Sequence, residues 1–152
     1  MDLLIIFAAK YLIILPVLVA LYLIYKLPAE DRLSYGIHVI ATGILAYVLA
    51  KVLGHFYFDA RPFVSDGIVP LIPHAADNGF PSDHTLLASV LAAVVFIFNK
   101  NIGVALWIIA LLIGAARVAA GIHHPLDIAG SIVISIIAAI IVALSLKKKT
   151  TF

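Results

Sequence analysis

Between Ala115 and Asp127 the sequence A-A-R-V-A-A-G-I-H-H-P-L-D sets an arginine, two histidines and an aspartate into an otherwise apolar run. Ionisable groups in or beside a bilayer cost on the order of 3 kcal/mol each, so they mark sites of reaction or transport. His123 and Asp127 are four residues apart, and Pro125 suits a first helical position, so a helical turn here puts both side chains on one face. The carboxylate can then fix the imidazole tautomer, and an imidazole held this way is a competent nucleophile toward phosphorus. Two further clusters are complementary. Arg61, before Pro62, and Arg117 offer forked donors for a phosphoryl group. Pro81-Ser82-Asp83-His84 opens an apolar stretch, where helix N-terminal amides favour an anion and His84 can protonate a leaving oxygen. Charge stabilisation would come from the arginines and the helix end, so no metal and no cofactor is expected.

The elements that must position these groups are transmembrane helices. The chain has 152 residues, 64% hydrophobic and 12% charged, with a mean hydropathy of +1.19, which places it among integral membrane proteins. An all-α, polytopic bundle forming a single domain over residues 1–152 is expected, because short polar breaks and no Gly/Ser linker separate the apolar segments. With no cysteine, disulfides and thiolate chemistry are excluded. A net charge of only +2 argues against a nucleic-acid partner.

Five segments reach spanning length: residues 3–25, 34–57, 82–98, 102–120 and 125–146. The first lacks a basic leader and a small-residue cleavage site, so it reads as a retained helix kinked at Pro16. Small residues at packing spacing, Ala88/Ala92, Ala115/Ala119 and Ser131/Ser135/Ala139, predict a tight bundle of the last three helices. The connection from Phe58 to Pro81 holds four prolines and is too long for an idle loop. Five spans put Arg61, Ser82, Arg117 and Asp127 on one side and Lys26, Arg32, Lys100 and Lys147 to Lys149 on the other, which is the cytoplasmic flank by the positive-inside rule. The site then faces outward, the C-terminus faces the cytoplasm, and Lys10 snorkels to the outer interface.

The order R-P, P-S-x-H, R-x5-H-x3-D resembles the three-part signature of the type 2 phosphatidic acid phosphatase superfamily, and the likeness covers about residues 51–131. That resemblance implies a metal-independent hydrolase in which His123 is transiently phosphorylated, Asp127 orients it, His84 serves the leaving group, and Arg61, Arg117 and Ser82 hold the phosphoryl oxygens. Within the family, F-P-S-D-H-T at Phe80 to Thr85 looks like the branch that dephosphorylates undecaprenyl diphosphate. The chain departs from the pattern in four respects. Gly54 stands where the family has a lysine, leaving Lys51, nearly one turn earlier, as the candidate cation at the mouth. Ala116 replaces a serine, Asp83 replaces a glycine and becomes a candidate partner for His84, and five spans stand against a common core of six.

Other readings compete. A phosphatase for phosphatidylglycerophosphate or phosphatidic acid uses the same motifs, because they read the phosphate and not the tail. A small transporter or channel would instead scatter polar groups through several helices. His124 adjoins the nucleophile and only the spacing selects His123. His38 reads as structural, His55 and His74 as external residues able to line the mouth but more simply packed or solvated, and Asp59, Asp66 and Asp77 as loop residues that solvate or cap. The substrate is expected to be a lipid (di)phosphate in a prokaryotic plasma membrane.

Overall fold

The computed structural model describes residues 1–147, so Lys148 and Lys149 of the basic run lie outside the described residues. Seven helices follow in order: α1 (Asp2–Lys10), α2 (Ile14–Lys26), α3 (Ala29–Phe56), α4 (Pro62–Ser65), α5 (Asp83–Phe98), α6 (Lys100–Ala119) and α7 (Pro125–Lys147). α5 is the axis of the bundle: it is apolar on all sides, and every residue from Ala88 to Val95 is buried. Its 16 residues span roughly 24 Å at 1.5 Å per residue. α6, α7, α3 and α2 pack around it. Their outer faces carry exposed apolar side chains such as Ile40, Ile44, Ile108, Leu112, Val133 and Ile140, as a lipid-facing surface requires. The chain is therefore a multi-pass, all-α membrane protein.

Local chemistry explains the breaks. The first apolar stretch is two helices, interrupted at residues 11–13 and not merely bent. Pro16 has no amide proton to give the carbonyl of Leu12, and the preceding turn tightens, with Ile14 N–H donating to Tyr11 O at 3.0 Å and Leu15 N–H to Leu12 O at 3.1 Å. α3 begins at Ala29, five residues earlier than the apolar pattern suggests, and so takes Arg32 into its first turns. Arg32 reaches back to the carbonyls of Leu27 (3.0 Å) and Tyr25 (3.1 Å), which the end of α2 leaves without partners. A single residue, Asn99, joins α5 to α6 and caps α6 by accepting the Ile102 N–H at 3.1 Å.

The small-residue reading holds for Ala88, Ala92, Ser131, Ser135 and Ala139, all buried, and fails for Ala115 and Ala119, which are exposed. Two residues rotate a helix by about 200°. Because Arg117 is buried against the bundle, positions 115 and 119 must face away, and the close approach on α6 is made by Gly114 against Ile128 instead. On α7, Gly130 lies under the Phe80 ring, where an ideal Cβ would sit 2.2 Å from Cε2. A Gly130→Val substitution should displace Phe80 and the loop it anchors, costing about 1–3 kcal/mol and lowering the unfolding midpoint in detergent. Gly36→Ala, whose Cβ meets nothing within 4 Å, should leave that midpoint unchanged or slightly raised.

Candidate active site

The turn between α6 and α7 is built by backbone geometry. Gly121 adopts φ +73°, a left-handed conformation open to glycine, and returns hydrogen bonds from Gly121 N to Val118 O (2.9 Å) and Ile122 N to Arg117 O (3.3 Å). This turn delivers His123 to the start of α7. There Asp127 Oδ2 accepts the His124 backbone N–H at 2.9 Å, as the third residue of a capping box does, and faces His123 Nδ1 at 3.1 Å. His123 is 2% exposed and Asp127 0%.

The far ring nitrogen defines the site. His123 Nε2 lies 3.3 Å from Arg61 Nη1 and 3.2 Å from Arg117 Nη2. Guanidinium groups only donate, so Nε2 presents its lone pair and Nδ1 carries the proton toward Asp127. Burial, reinforced by the Arg117 and Arg61 charges, holds the His123 pKa below the ordinary histidine value against the raising hydrogen bond of Asp127. A neutral imidazole thus sits between two cations. Each arginine is held from behind. Arg61 donates to Asp77 Oδ1 (2.7 Å), Ile122 O (2.8 Å) and Asn78 O (3.5 Å), and Arg117 donates to Ala9 O (3.3 Å). Arg117 Nε is buried without a partner, a free donor beside the place where an oxyanion would lie.

The pair opens into a cavity of about 500 Å³, lined by His84, Asp83, Arg61, Arg117, His123 and His74 together with Lys10, Tyr11, Ile72, Pro73 and Asp77. The interruption of the first apolar stretch brings Lys10 and Tyr11 here, while Ala9 and Ile5 of α1 pack with Ile72, Ala116, Ala120 and Ile122. Ala116, where the resemblance expects a serine, contributes a methyl group to that apolar cluster. Ser82 holds the N-cap position of α5 without a side-chain capping bond and is wholly buried, its hydroxyl accepting from Thr85 Oγ1 at 3.2 Å, so its side chain stands behind the cavity wall.

Lys51 is exposed, with Nζ 5.1 Å from the Tyr47 ring centre, and lines two neighbouring cavities with Asp83 and not the catalytic one. Position 54 is crowded: an ideal Cβ there would lie 3.0 Å from Phe80 O and 3.6 Å from Asn78 Nδ2. A lysine at 54 would have to push the second motif aside.

Three residues do more than the sequence reading gave them. His74 is not merely packed or solvated: its Nε2 accepts from Arg117 Nη2 at 3.2 Å, its ring lies 6.3 Å from that of His123, and burial holds its pKa below the usual value. Asp77 is the counter-ion of Arg61, whose hydrogen bond holds that carboxyl below the ordinary range. Asn78 ties the long loop to α3 by donating to Gly54 O (2.9 Å) and Tyr57 O (3.0 Å) and accepting from Asp59 N (2.9 Å) and Phe80 N (3.0 Å). Their only sequence signal was the length of the loop that holds them. His38, as expected, is structural, bonded through Nδ1 to Ser34 O at 2.7 Å.

The arrangement suits a phosphoryl group as ligand, and the known proteins the chain resembles include undecaprenyl-diphosphatases. The chain is 37% identical to undecaprenyl-diphosphatase BcrC of Bacillus subtilis over 140 residues, covering 90% of this chain and 70% of that one. It is 33% identical to the putative undecaprenyl-diphosphatase YbjG of Escherichia coli, covering 87% and 67% respectively. The crystal structure of Aquifex aeolicus LpxE superposes with a TM-score of 0.75 at 28% identity, over 94% of this chain and 85% of that one. The sequence profile of the PAP2 superfamily matches residues 34–151, a stretch that holds every group around His123 except Lys10 and Tyr11, and the chain belongs to that superfamily.

Proposed function

We propose that this membrane phosphatase hydrolyses undecaprenyl diphosphate, or a closely similar prenyl diphosphate, to the monophosphate and inorganic phosphate through a phosphohistidine. The observation that carries the reading is His123 Nε2, flanked at 3.3 and 3.2 Å by Arg61 and Arg117 and backed at Nδ1 by Asp127. A terminal phosphoryl group entering the cavity takes the guanidinium donors that now rest on the imidazole, which frees the lone pair for in-line attack. The Nε2–P bond forms as the P–O bond to the lipid monophosphate breaks. His84, across the cavity, gives the leaving oxygen its proton and then takes one from the water that cleaves the phosphohistidine. Asp127 stabilises the positive charge the ring acquires. No step calls on a metal ion.

The polar groups meet at one end of the bundle, while Lys26, Arg32 and Lys100 lie at the other. That separation supports an extracytoplasmic site and a cytoplasmic C-terminus and disfavours an ion path through the bundle. The tail has a route. Beside the catalytic cavity, a groove of about 510 Å³ runs between α3 and α5 along Gly43, Ala46, Tyr47, Leu86, Leu87 and Val90, with Lys51 and Asp83 at its head. Lys51 is placed there to neutralise the phosphate nearest the lipid.

Phosphate release from undecaprenyl diphosphate in detergent tests the reading, with phosphatidylglycerophosphate and phosphatidic acid in parallel. Activity should persist in excess EDTA, be greatest on the prenyl diphosphate, and vanish in His123→Ala. Retained turnover in that variant would remove the nucleophile assignment, and preference for a glycerolipid would move the substrate class.

The pH profile follows from the depressed His123 pKa. The nucleophile must be neutral, protonation is resisted, and the acid limb of kcat/KM should fall below the ordinary histidine value of about 6.5. Asp127→Asn should lower kcat by on the order of 10³–10⁴-fold, as loss of the orienting carboxylate does in hydrolytic triads.

A further inference from the structure

Asp127 Oδ2 is fully used by His123 and His124, yet its Oδ1 is buried with no hydrogen-bond partner. A lone buried carboxylate oxygen is costly. The neighbouring carboxyl is that of Asp59. One oxygen of each carboxyl and a ring nitrogen of His124 lie within 4.8 Å of one another. Asp59 does not drift there. Its N–H donates to Asn78 Oδ1 (2.9 Å), its carbonyl accepts from Gly79 N (2.8 Å), and the antiparallel bridge of Ala60 with Asn78 follows directly. Gly79 also packs so closely on Asp127 that an ideal Cβ would come 3.0 Å from Oδ2.

Two ionised carboxylates so close repel each other, which favours a proton on one of them. Its place follows from the donors. Asp127 receives two N–H groups on Oδ2, which favour its charged form, whereas Asp59 has burial and the Asp127 charge against ionisation, and both push its pKa up. Opposing them is His124, whose Nδ1 lies 3.2 Å from Asp59 Oδ1 without a hydrogen bond between them, while its Nε2 lies 3.4 Å from Asp66 Oδ2. Arg61, two residues on, is engaged by Asp77 and turned toward His123.

We propose that Asp59 is a positioning residue for the reaction: its carboxyl, holding a proton supplied directly or through His124, donates to Oδ1 of Asp127 and locks that carboxylate against His123. The inference rests on the nucleophile assignment above and deepens it. It also gives His124 a task, as the proton partner of Asp59.

The test compares the full chain with Asp59→Asn and Asp59→Ala in detergent. Asparagine can donate the same hydrogen bond without titrating, so kcat should stay within about threefold of the parent, whereas alanine should lower kcat about tenfold with little change in KM. The parent at neutral pH should show an infrared C=O band of a protonated carboxyl that Asp59→Asn lacks. Full activity in Asp59→Ala, or an asparagine variant as impaired as alanine with no band lost, would overturn the proposal. An inactive His123→Ala beside a fully active Asp59→Ala defeats this inference alone. An active His123→Ala defeats the phosphohistidine reading, and the infrared band then still decides where the proton lies. If the alanine variant does not fold, the asparagine variant and the band carry the test.

Discussion

Everything at this site depends on keeping two guanidinium groups beside one imidazole nitrogen with almost no access to water. Arg61 is 6% exposed and Arg117 5%, and two like charges so placed repel each other strongly. The structure meets that cost with fixed acceptors: the Asp77 carboxylate and the carbonyls of Ile122 and Ala9. These acceptors come from the long loop, the α6–α7 turn and α1, so three separate segments are drawn to the same end of the bundle by the same charges. A bound oxyanion would relieve the repulsion that remains, and the fixed donors are preorganised to receive one.

The same demand shapes the peripheral elements. α1 is not simply the upper part of a membrane span. By breaking from α2 ahead of Pro16 it packs beside the end of α6, offers the Ala9 carbonyl to Arg117 and brings Lys10 and Tyr11 to the cavity. The loop between α3 and α5 has little regular structure beyond α4, yet Asn78 and the bridge at Ala60 hold it as firmly as a strand pair would. In the proposed reading the phosphate is held at the loop end and the tail along the groove between α3 and α5.

Much of this was legible before any coordinates. Apolar length located five membrane segments, and the difference at Ala115 and Ala119 arose because a stripe of small residues does not say which face turns inward. Arg117 settles that face, because its charge cannot turn toward lipid. His123, Asp127, His84, Arg61 and Arg117 were readable because motif spacing survives translation into helix geometry. His74, Asp77 and Asp59 were not. They come from an irregular loop, where spacing along the chain carries no fixed relation to distance in space.

By itself, then, the sequence determined a polytopic helical membrane protein with an arginine, histidine and aspartate phosphate chemistry at one end, because hydropathy and helical periodicity are local properties. Only the tertiary structure decided which partners hold those groups. It turned the Ser82 hydroxyl toward Thr85, placed Lys51 beside Asp83 at the groove between α3 and α5, crowded position 54 against the Phe80 carbonyl, and brought Asp59 close to Asp127. Those outcomes depend on the packing of a loop against three helix ends, and contacts between residues distant in sequence leave no periodic trace in it.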